Sequence, residues 1–325
     1  MARIDVAVPN YNYGRFLQSC VNSIYRQGID GIRILIIDNA STDDSAAIAR
    51  RLAERDPNVE LCLRTTNLGQ HASFNAAVDW AQSEYFVILC SDDYLADGAL
   101  QRAINALDRH RDASLAFGGT LFVEEGSPRP AALKPQGAGC LRYWSGTDFL
   151  RATCRSGRNL VGGPLAVVRT AAQKAAGHYC QDLQHTDDME MWMRLAAIGA
   201  VVELDDVLAI VRLHGENRSA ILADVLHWNR AAEAAFESFF AGFGASLPDA
   251  KSLFDDAKRC LSDRAYWAAI SHLIQRQPGA PELAKQAVAL RPACIVLPPL
   301  GYAWRKTRMS HRLKQMWSSK KMVAS

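Results

Sequence analysis

Apolar and polar positions alternate at the start of the chain. Ile4, Val6 and Val8 fall two apart and stop at Pro9-Asn10, which predicts a strand closed by a breaker. The period then changes: Leu17, Cys20, Val21 and Ile24 sit at i, i+3, i+4 and i+7, one apolar face of a helix. Ile32 to Ile37 is nearly continuous β-branched residues, as in a parallel strand buried on both faces. After it, Ser41 or Thr42 is expected to cap a helix reaching Leu52. Val59 to Leu63 reads as a third strand, Phe74, Ala77, Val78 and Ala81 as a helix, Tyr85 to Leu89 as a fourth strand, and Leu100, Ala103, Ile104 and Leu107 as the helix after it. Alternation of this kind predicts an α/β fold with a parallel sheet covered on both faces.

The pattern changes again further along. Gly162-Gly163-Pro164 precedes a strand-like run from Leu165 to Val168, and Met189, Met191, Trp192, Leu195 and Ala196 mark the apolar face of a helix with Asp187 and Asp188 at its start. Beyond about residue 222 only helical periods remain. Leu222, Val225, Leu226, Phe236, Phe239, Phe240 and Phe243 form one; Phe254, Ala257, Leu261, Ala265 and Ala268 a second. A third opens at Pro281-Glu282 and ends at Arg291-Pro292. The expected organisation is an α/β domain over 1–222 and an all-helical extension over 223–325.

Composition narrows the class. At 49% hydrophobic and 22% charged, the 325-residue chain is globular rather than disordered. Its eight cysteines show no CxxC, which suits reduced thiols in a cytosolic protein better than zinc ligation or a disulfide framework. Met1 to Asp5 lacks the apolar run of a signal peptide, and the stretch from Ala293 to Trp304 contains two prolines and is too short to span a bilayer. The expectation is a cytoplasmic protein, at most attached to a membrane surface. Residues 301–325 hold seven Lys and Arg and no acid; since the whole chain carries +3, residues 1–300 carry −4. That localised charge argues against a nucleic-acid binder. It fits either contact with anionic lipid or a solvated basic tail.

Polar residues gather where the alternation predicts the carboxyl ends of strands, the place where open α/β sheets bind ligands. Those ends carry Pro9-Asn10-Tyr11-Asn12, Asp38-Asn39 and Ser91-Asp92-Asp93. Taken singly, Asp38 is as well explained by a turn or a helix cap; three coincident ends point to a site. Neither G-x-G-x-x-G nor GxxxxGK[ST] is present, so a bound nucleotide would be held by acids, amides and a hard cation on oxygen ligands.

In this order the motifs resemble a family 2 glycosyltransferase of GT-A fold, over roughly residues 3–220. Val6-Ala7-Val8-Pro9-Asn10-Tyr11-Asn12 resembles the opening strand and turn, and Ile36-Ile37-Asp38-Asn39-Ala40-Ser41-Thr42-Asp43 the second strand, whose Asp meets the nucleotide base. Asn67-Leu68-Gly69 with Asn75 resembles the next helix region, and Leu89-Cys90-Ser91-Asp92-Asp93 the metal motif. Thr186-Asp187-Asp188, running to Arg194, resembles the catalytic element, and Arg212-Leu213-His214 the closing Arg-x-His. Two departures stand out: Cys90 replaces an acid and is assigned to the core, and Asp187 replaces a Glu.

The resemblance implies a metal-dependent, inverting hexosyl transfer from a nucleotide-diphosphate sugar, UDP by family default, to a saccharide or lipid-linked acceptor in bacterial-type surface polysaccharide or glycolipid synthesis. It implies Mn2+ or Mg2+ as cofactor, with Asp93 as direct ligand, Asp92 on ribose or metal-bound water, and His214 as a third ligand or diphosphate contact; a structural role for His214 is the alternative. Pro9, Asn10, Tyr11, Asn12, Asp38, Asn39, Asn67, Gly69, Ser91 and Asp92 would contact the nucleotide sugar. Asp188 would be the general base with Asp187 beside it, while favourable placement of acids at a helix start is the plainer explanation of the pair. Arg194 would support those acids or pair with a phosphate. A homodimer is compatible with all of this. The competing functions are a non-catalytic nucleotide- or sugar-binding protein, allowed by Cys90, and a sugar nucleotidyltransferase, disfavoured because Pro9 to Arg15 is no Gly-rich basic loop.

Overall fold

Ile4, Val6, Ala7 and Val8 are all fully buried, because the strand they form, β1 (Ile4–Asn10), lies inside a sheet with an apolar cluster on each face. The computed structural model describes residues 3–127, 141–162, 165–216 and 224–299. β2 (Ile32–Asp38) pairs with β1 in parallel along its full length, from Ile4↔Ile32 to Asn10↔Asp38. β3 (Val59–Leu63) continues the parallel pairing outward, and β4 (Tyr85–Ile88) lies parallel on the other side of β1. Between them run α1 (Gly14–Tyr25), α2 (Ser45–Arg55) and α3 (Gln70–Trp80). There follow β5 (Tyr94–Leu95), α4 (Ala99–Arg109), β6 (Ala113–Glu124), β7 (Leu141–Trp144), α5 (Gly146–Ser156), β8 (Ala166–Arg169), α6 (Thr170–Ala176), α7 (Asp187–Ile198) and β9 (Ala200–Leu213). The strand order is β3-β2-β1-β4-β8-β6-β9-β5, with β7 on β9.

The parallel expectation holds for the first four strands and again where β6 pairs with β9. β8 runs antiparallel to both β4 and β6, so the sheet is mixed. The reason lies in the connections: β7 runs antiparallel to β9 and so against β6, and α5 then crosses over to β8, which keeps the direction of β7.

The sheet divides two cores. On one face Ile4, Val6, Val8, Ile34 and Ile36 pack against Leu17 and Ile24 of α1, Leu52 of α2 and Leu100 and Ile104 of α4. On the other, Ala7, Leu35, Ile37 and Phe86 meet Phe74 of α3, Phe149 of α5 and Met191 and Leu195 of α7. Period-2 strands feeding two faces and period-3.6 helices covering them account for the layers.

The segment after residue 224 is helical: α8 (Val225–Ala241), α9 (Ala250–Ile274) and α10 (Ala280–Leu290). It is not a separate ball on a linker. Phe236 and Phe239 of α8 and Leu253, Ala257 and Leu261 of α9 belong to the same apolar cluster as α5 and α7. Phe236 is fully buried, so truncating it to Ala would cost about 3–5 kcal/mol. A smaller cluster of Ala265, Ala269, Leu283, Ala287 and Cys294 joins α9 to α10.

Pro9 and Asn10 are the last two residues of β1. Several local expectations change. Neither Ser41 nor Thr42 caps α2, which starts at Ser45 after Asp44. Their groups are spent between loops instead: Ser41 bonds Asp38, and the Thr42 N–H donates to Asn12 Oδ1. Phe243 falls outside α8, in a short 3-10 turn. Gly163, Pro164, Leu222 and the basic tail lie outside the described residues. Among the described residues no helix is long and apolar enough to cross a membrane, and none of the seven cysteines is in a disulfide.

Candidate active site

The carboxyl end of β1 is stapled to that of β2 by side chains. Asn10 Nδ2 donates to Asp38 Oδ1 at 2.9 Å, and the Ser41 hydroxyl and N–H donate to the two oxygens of Asp38 at 2.6 and 3.0 Å. Asp38 is 2% exposed. It lies behind the cavity wall while Asn10 and Asn39 line the cavity. Its carboxylate is used in shaping the two loops that Asn10 and Asn39 present to the cavity. Asn12 holds the same staple from a left-handed backbone (φ 58) and does not line the cavity either.

Asn39 carries the network onward. It donates to Asn67 Oδ1 at 2.6 Å and accepts from Arg64 and from the Leu68 N–H. Asn67 also accepts the Gly69 N–H at 2.8 Å. Gly69 has φ 84, so glycine is required for the chain to turn there into α3. Asn75 bonds both the N–H and the C=O of Tyr179, fixing the segment that leads to α7.

Beyond β4, Ser91-Asp92-Asp93 faces the same space. Asp93 is 6% exposed. Burial and the neighbouring Asp92 charge push its carboxyl well above the usual range, opposed by the N–H and charge of Arg212. Arg212 also donates to the Asp92 carbonyl at 2.6 Å and to Ser19 at 2.5 Å, tying β9 to this turn. Cys90 packs against the apolar cluster and also lines the cavity.

His214 has a fully buried side chain between Tyr13 and Phe16. Its Nδ1 accepts the Glu216 N–H at 3.3 Å, and its Nε2 lies 3.3 Å from Asp92 Oδ2. His214 therefore stands beside the acidic turn, within reach of Asp92. Among the described residues no three His, Cys, Asp or Glu side chains gather to hold a metal ion. Two carboxylates short of positive charge fit a hard cation completed by diphosphate oxygens, and not one caged by protein alone.

The opposite wall is the start of α7. Asp187 is 6% exposed, with Oδ2 3.3 Å from His71 Nε2. Asp188 is partly buried and lines the cavity. Its Oδ1 accepts the Met189 N–H at 2.6 Å and its Oδ2 the Asn159 amide at 2.8 Å. Burial first and Asp187 second push its pKa up to about 7, with those two donors pulling the other way. Arg194 turns away from both acids: it pairs with Glu190 at 2.6 Å and donates to the Ala176 carbonyl.

Between these walls lies a cavity of about 830 Å3 lined from β1, α3, β4, β6, β8, α6, α7 and β9 and the loops after β1, β2 and β4. Asn10 Oδ1, Ser91 Oγ, Gln173 Oε1 and Trp192 Nε1 are buried without a partner among the described residues, and all four residues line it. Buried polar atoms are nearly always paired, so such a group marks a place for water or ligand. Phe122, 59% exposed, lines this cavity and a neighbouring one of about 440 Å3 that also contains Thr120, Glu203 and Asp205. Asn159, His71, Arg64, Gln173 and Phe122 carried no motif. Only the Asn-rich segments around Asn67 hinted at the loop network.

Residues 5–159 match the model of glycosyl transferase family 2. That stretch includes Asp92 and Asp93 and ends before Asp187. An uncharacterized glycosyltransferase of Haemophilus influenzae is 32% identical over 105 residues, 32% of this chain and 42% of that protein. The chain thus spans under half the length of this curated relative. Among solved structures, S. aureus TarS 1-349 in complex with UDP-GlcNAc gives a TM-score of 0.58 at 16% identity, covering 89% of each chain. The mannosyltransferase PcManGT of Pyrobaculum calidifontis, in complex with GDP-Man and Mn2+, gives 0.60 at 19% identity, covering 98% of this chain and 83% of that one. The fold is GT-A. The first half of the chain is thus similar to family 2 glycosyltransferases. In GT-A terms, the turn after β4 and the start of α7 are the two acidic walls of one cleft.

Proposed function

We propose that this protein is an inverting glycosyltransferase that moves a sugar from a nucleotide-diphosphate donor, a UDP-sugar first, to a hydroxyl of a saccharide or lipid-linked acceptor in surface polysaccharide or glycolipid synthesis. The observation that carries the reading is one cavity with an acidic pair on each wall, in which Asp188 is tuned to about 7. A general base works best when its pKa lies near the working pH.

Asp188 takes the proton of the acceptor hydroxyl as its oxygen bonds the anomeric carbon and the bond from that carbon to the diphosphate breaks. The proton ends on Asp188 and the electron pair on the diphosphate. Asp187 keeps the Asp188 carboxylate basic through its charge. Asp93, with Asp92 and its neighbour His214, would hold Mn2+ or Mg2+, whose charge offsets that of the leaving diphosphate. Asn10, Asn39 and Ser91 present amide and hydroxyl groups to the nucleotide sugar. The acceptor enters past Phe122, since an exposed aromatic face suits a sugar ring. The neighbouring cavity lets a longer saccharide continue toward Glu203 and Asp205. The seven basic residues of the tail draw the enzyme to an anionic membrane face, where a lipid-linked acceptor would be found.

Release of nucleoside diphosphate from a panel of UDP-, GDP- and dTDP-sugars tests the reading, with and without Mn2+. Turnover or slow hydrolysis of at least one donor is expected. Affinity without release from any donor would make the protein a binding module instead.

A further inference from the structure

Among the described residues none beyond Val211 lines the main cavity, yet the helical segment holds the backbone on both sides of Asp188. Arg264 of α9 is 9% exposed. Its Nη2 donates to the carbonyls of Ser156 and Gly157 at 2.8 and 2.9 Å, and its Nη1 to Asn229 Oδ1 of α8 at 3.3 Å. Gly157 ends α5 in a left-handed conformation (φ 58), and a Cβ there would sit 2.8 Å from Arg264 Nη2. The guanidinium thus occupies the space that glycine leaves open.

Two residues later comes Asn159. Its Oδ1 accepts the Val161 N–H at 3.1 Å, which fixes the amide orientation and turns Nδ2 to Asp188 Oδ2. On the other flank, the Thr186 hydroxyl donates to the Ala231 carbonyl of α8 at 2.9 Å, just ahead of Asp187 and Asp188. We propose that Arg264 and Asn159 form a positioning relay through which the helical segment sets the place of the Asp188 carboxylate. The segment is then a working part of the transfer site. The inference rests on Asp188 as the base.

The relay uses properties of these residue types. A planar fork reaches two carbonyls and a third acceptor at once, which a lysine ammonium on a flexible stem does less well. An amide N–H on a carboxylate favours the ionised form, so its loss makes the carboxyl hold its proton to higher pH. The other charged or titratable groups around Asp188 are Asp187 of α7, His71 of α3 through its pairing with Asp187, and Tyr179 in the segment before α7. None of them is touched by either substitution.

The test uses the full chain with Asn159→Ala, Arg264→Met, Arg264→Lys, the double variant Asn159→Ala/Arg264→Met and Asp188→Asn. It measures kcat against pH and donor affinity by calorimetry. Asn159→Ala should lower kcat at pH 7 by about tenfold and move the midpoint of its acid limb upward, with donor Kd within about threefold of the parent. Arg264→Met should shift both in the same direction, and Arg264→Lys less. The double variant should be close to Asn159→Ala alone, because both substitutions cut one relay. If Arg264→Met does not fold, the Asn159→Ala and Arg264→Lys profiles decide. Folded, donor-binding variants with the parent kcat and pH midpoint overturn the relay when Asp188→Asn is inactive. An active Asp188→Asn overturns the base assignment and the relay with it.

Discussion

Replacing Asp188 by Asn should slow transfer and stabilise the fold, and the two effects share one cause. The carboxyl loses its proton at about 7 in the folded chain, about three units above a free carboxyl. Between pH 4 and 7 the folded state therefore keeps a proton that the unfolded chain has released. Stability falls as pH rises through that window and is lowest above it. At ~1.36 kcal/mol per unit, the unscreened cost of the ionised carboxylate is on the order of 4 kcal/mol. Asp188 opens onto the cavity, so solvent reduces this, and Asn is expected to recover about 1–2 kcal/mol at pH 8 and nothing at pH 4. That is a rise in Tm of about 2–5 °C at pH 8 alone. In the parent, about one tenth of the base is ionised at pH 6 and about nine tenths at pH 8, so kcat should climb about tenfold. The Asn variant should lose at least ~100-fold and show no such limb. Differential scanning calorimetry and initial rates across pH 5.5–8.5 read both effects. A parent rate flat from pH 6 to 8, or an Asn variant with parent activity, would refute the reasoning.

Other substitutions probe other levels. A Cβ at Gly146 would meet the Ala196 carbonyl of α7 at 1.9 Å and the Gly199 carbonyl at 3.0 Å; as both are backbone, Gly146→Ala should cost about 2–3 kcal/mol in urea denaturation, and an unchanged midpoint would contradict this packing. Phe122→Ala should raise the acceptor KM while leaving donor Kd unchanged, and an unchanged acceptor KM would remove Phe122 from the acceptor path. Deleting 301–325 should weaken binding to anionic vesicles, in a salt-dependent way, and leave donor hydrolysis intact; equal vesicle binding by the truncated chain would dismiss the tail's role.

What the sequence made legible was local. Ile4, Val6 and Val8 at period two, the run Ile32 to Ile37, and the α1 face of Leu17, Cys20, Val21 and Ile24 each declare an element and its buried side. The acidic pairs could be found because they sit next to strand ends or a helix start. What escaped was set by partners distant in the chain. Asn159 meets Asp188 across 29 positions, and Arg264 reaches Ser156 across 108; no spacing rule records such pairs. Asp38 and His214 show the same gap. Their residue types fit a ligand-binding role, but their partners Ser41, Asn10 and the Glu216 N–H were not to be read from the sequence. The mixed second half of the sheet was likewise hidden, since short apolar strands such as β8 carry no mark of direction.

The central claim is that this cavity holds a nucleoside diphosphate through Asp92 and Asp93. Calorimetric titration of UDP and GDP into the full chain, with and without Mn2+ and repeated on Asp93→Ala, tests it most directly. One of the two nucleotides should bind, with affinity rising about tenfold or more when Mn2+ is added, and Asp93→Ala should abolish that gain. Absence of binding by either nucleotide with Mn2+ present, or a metal gain that survives Asp93→Ala, would contradict it.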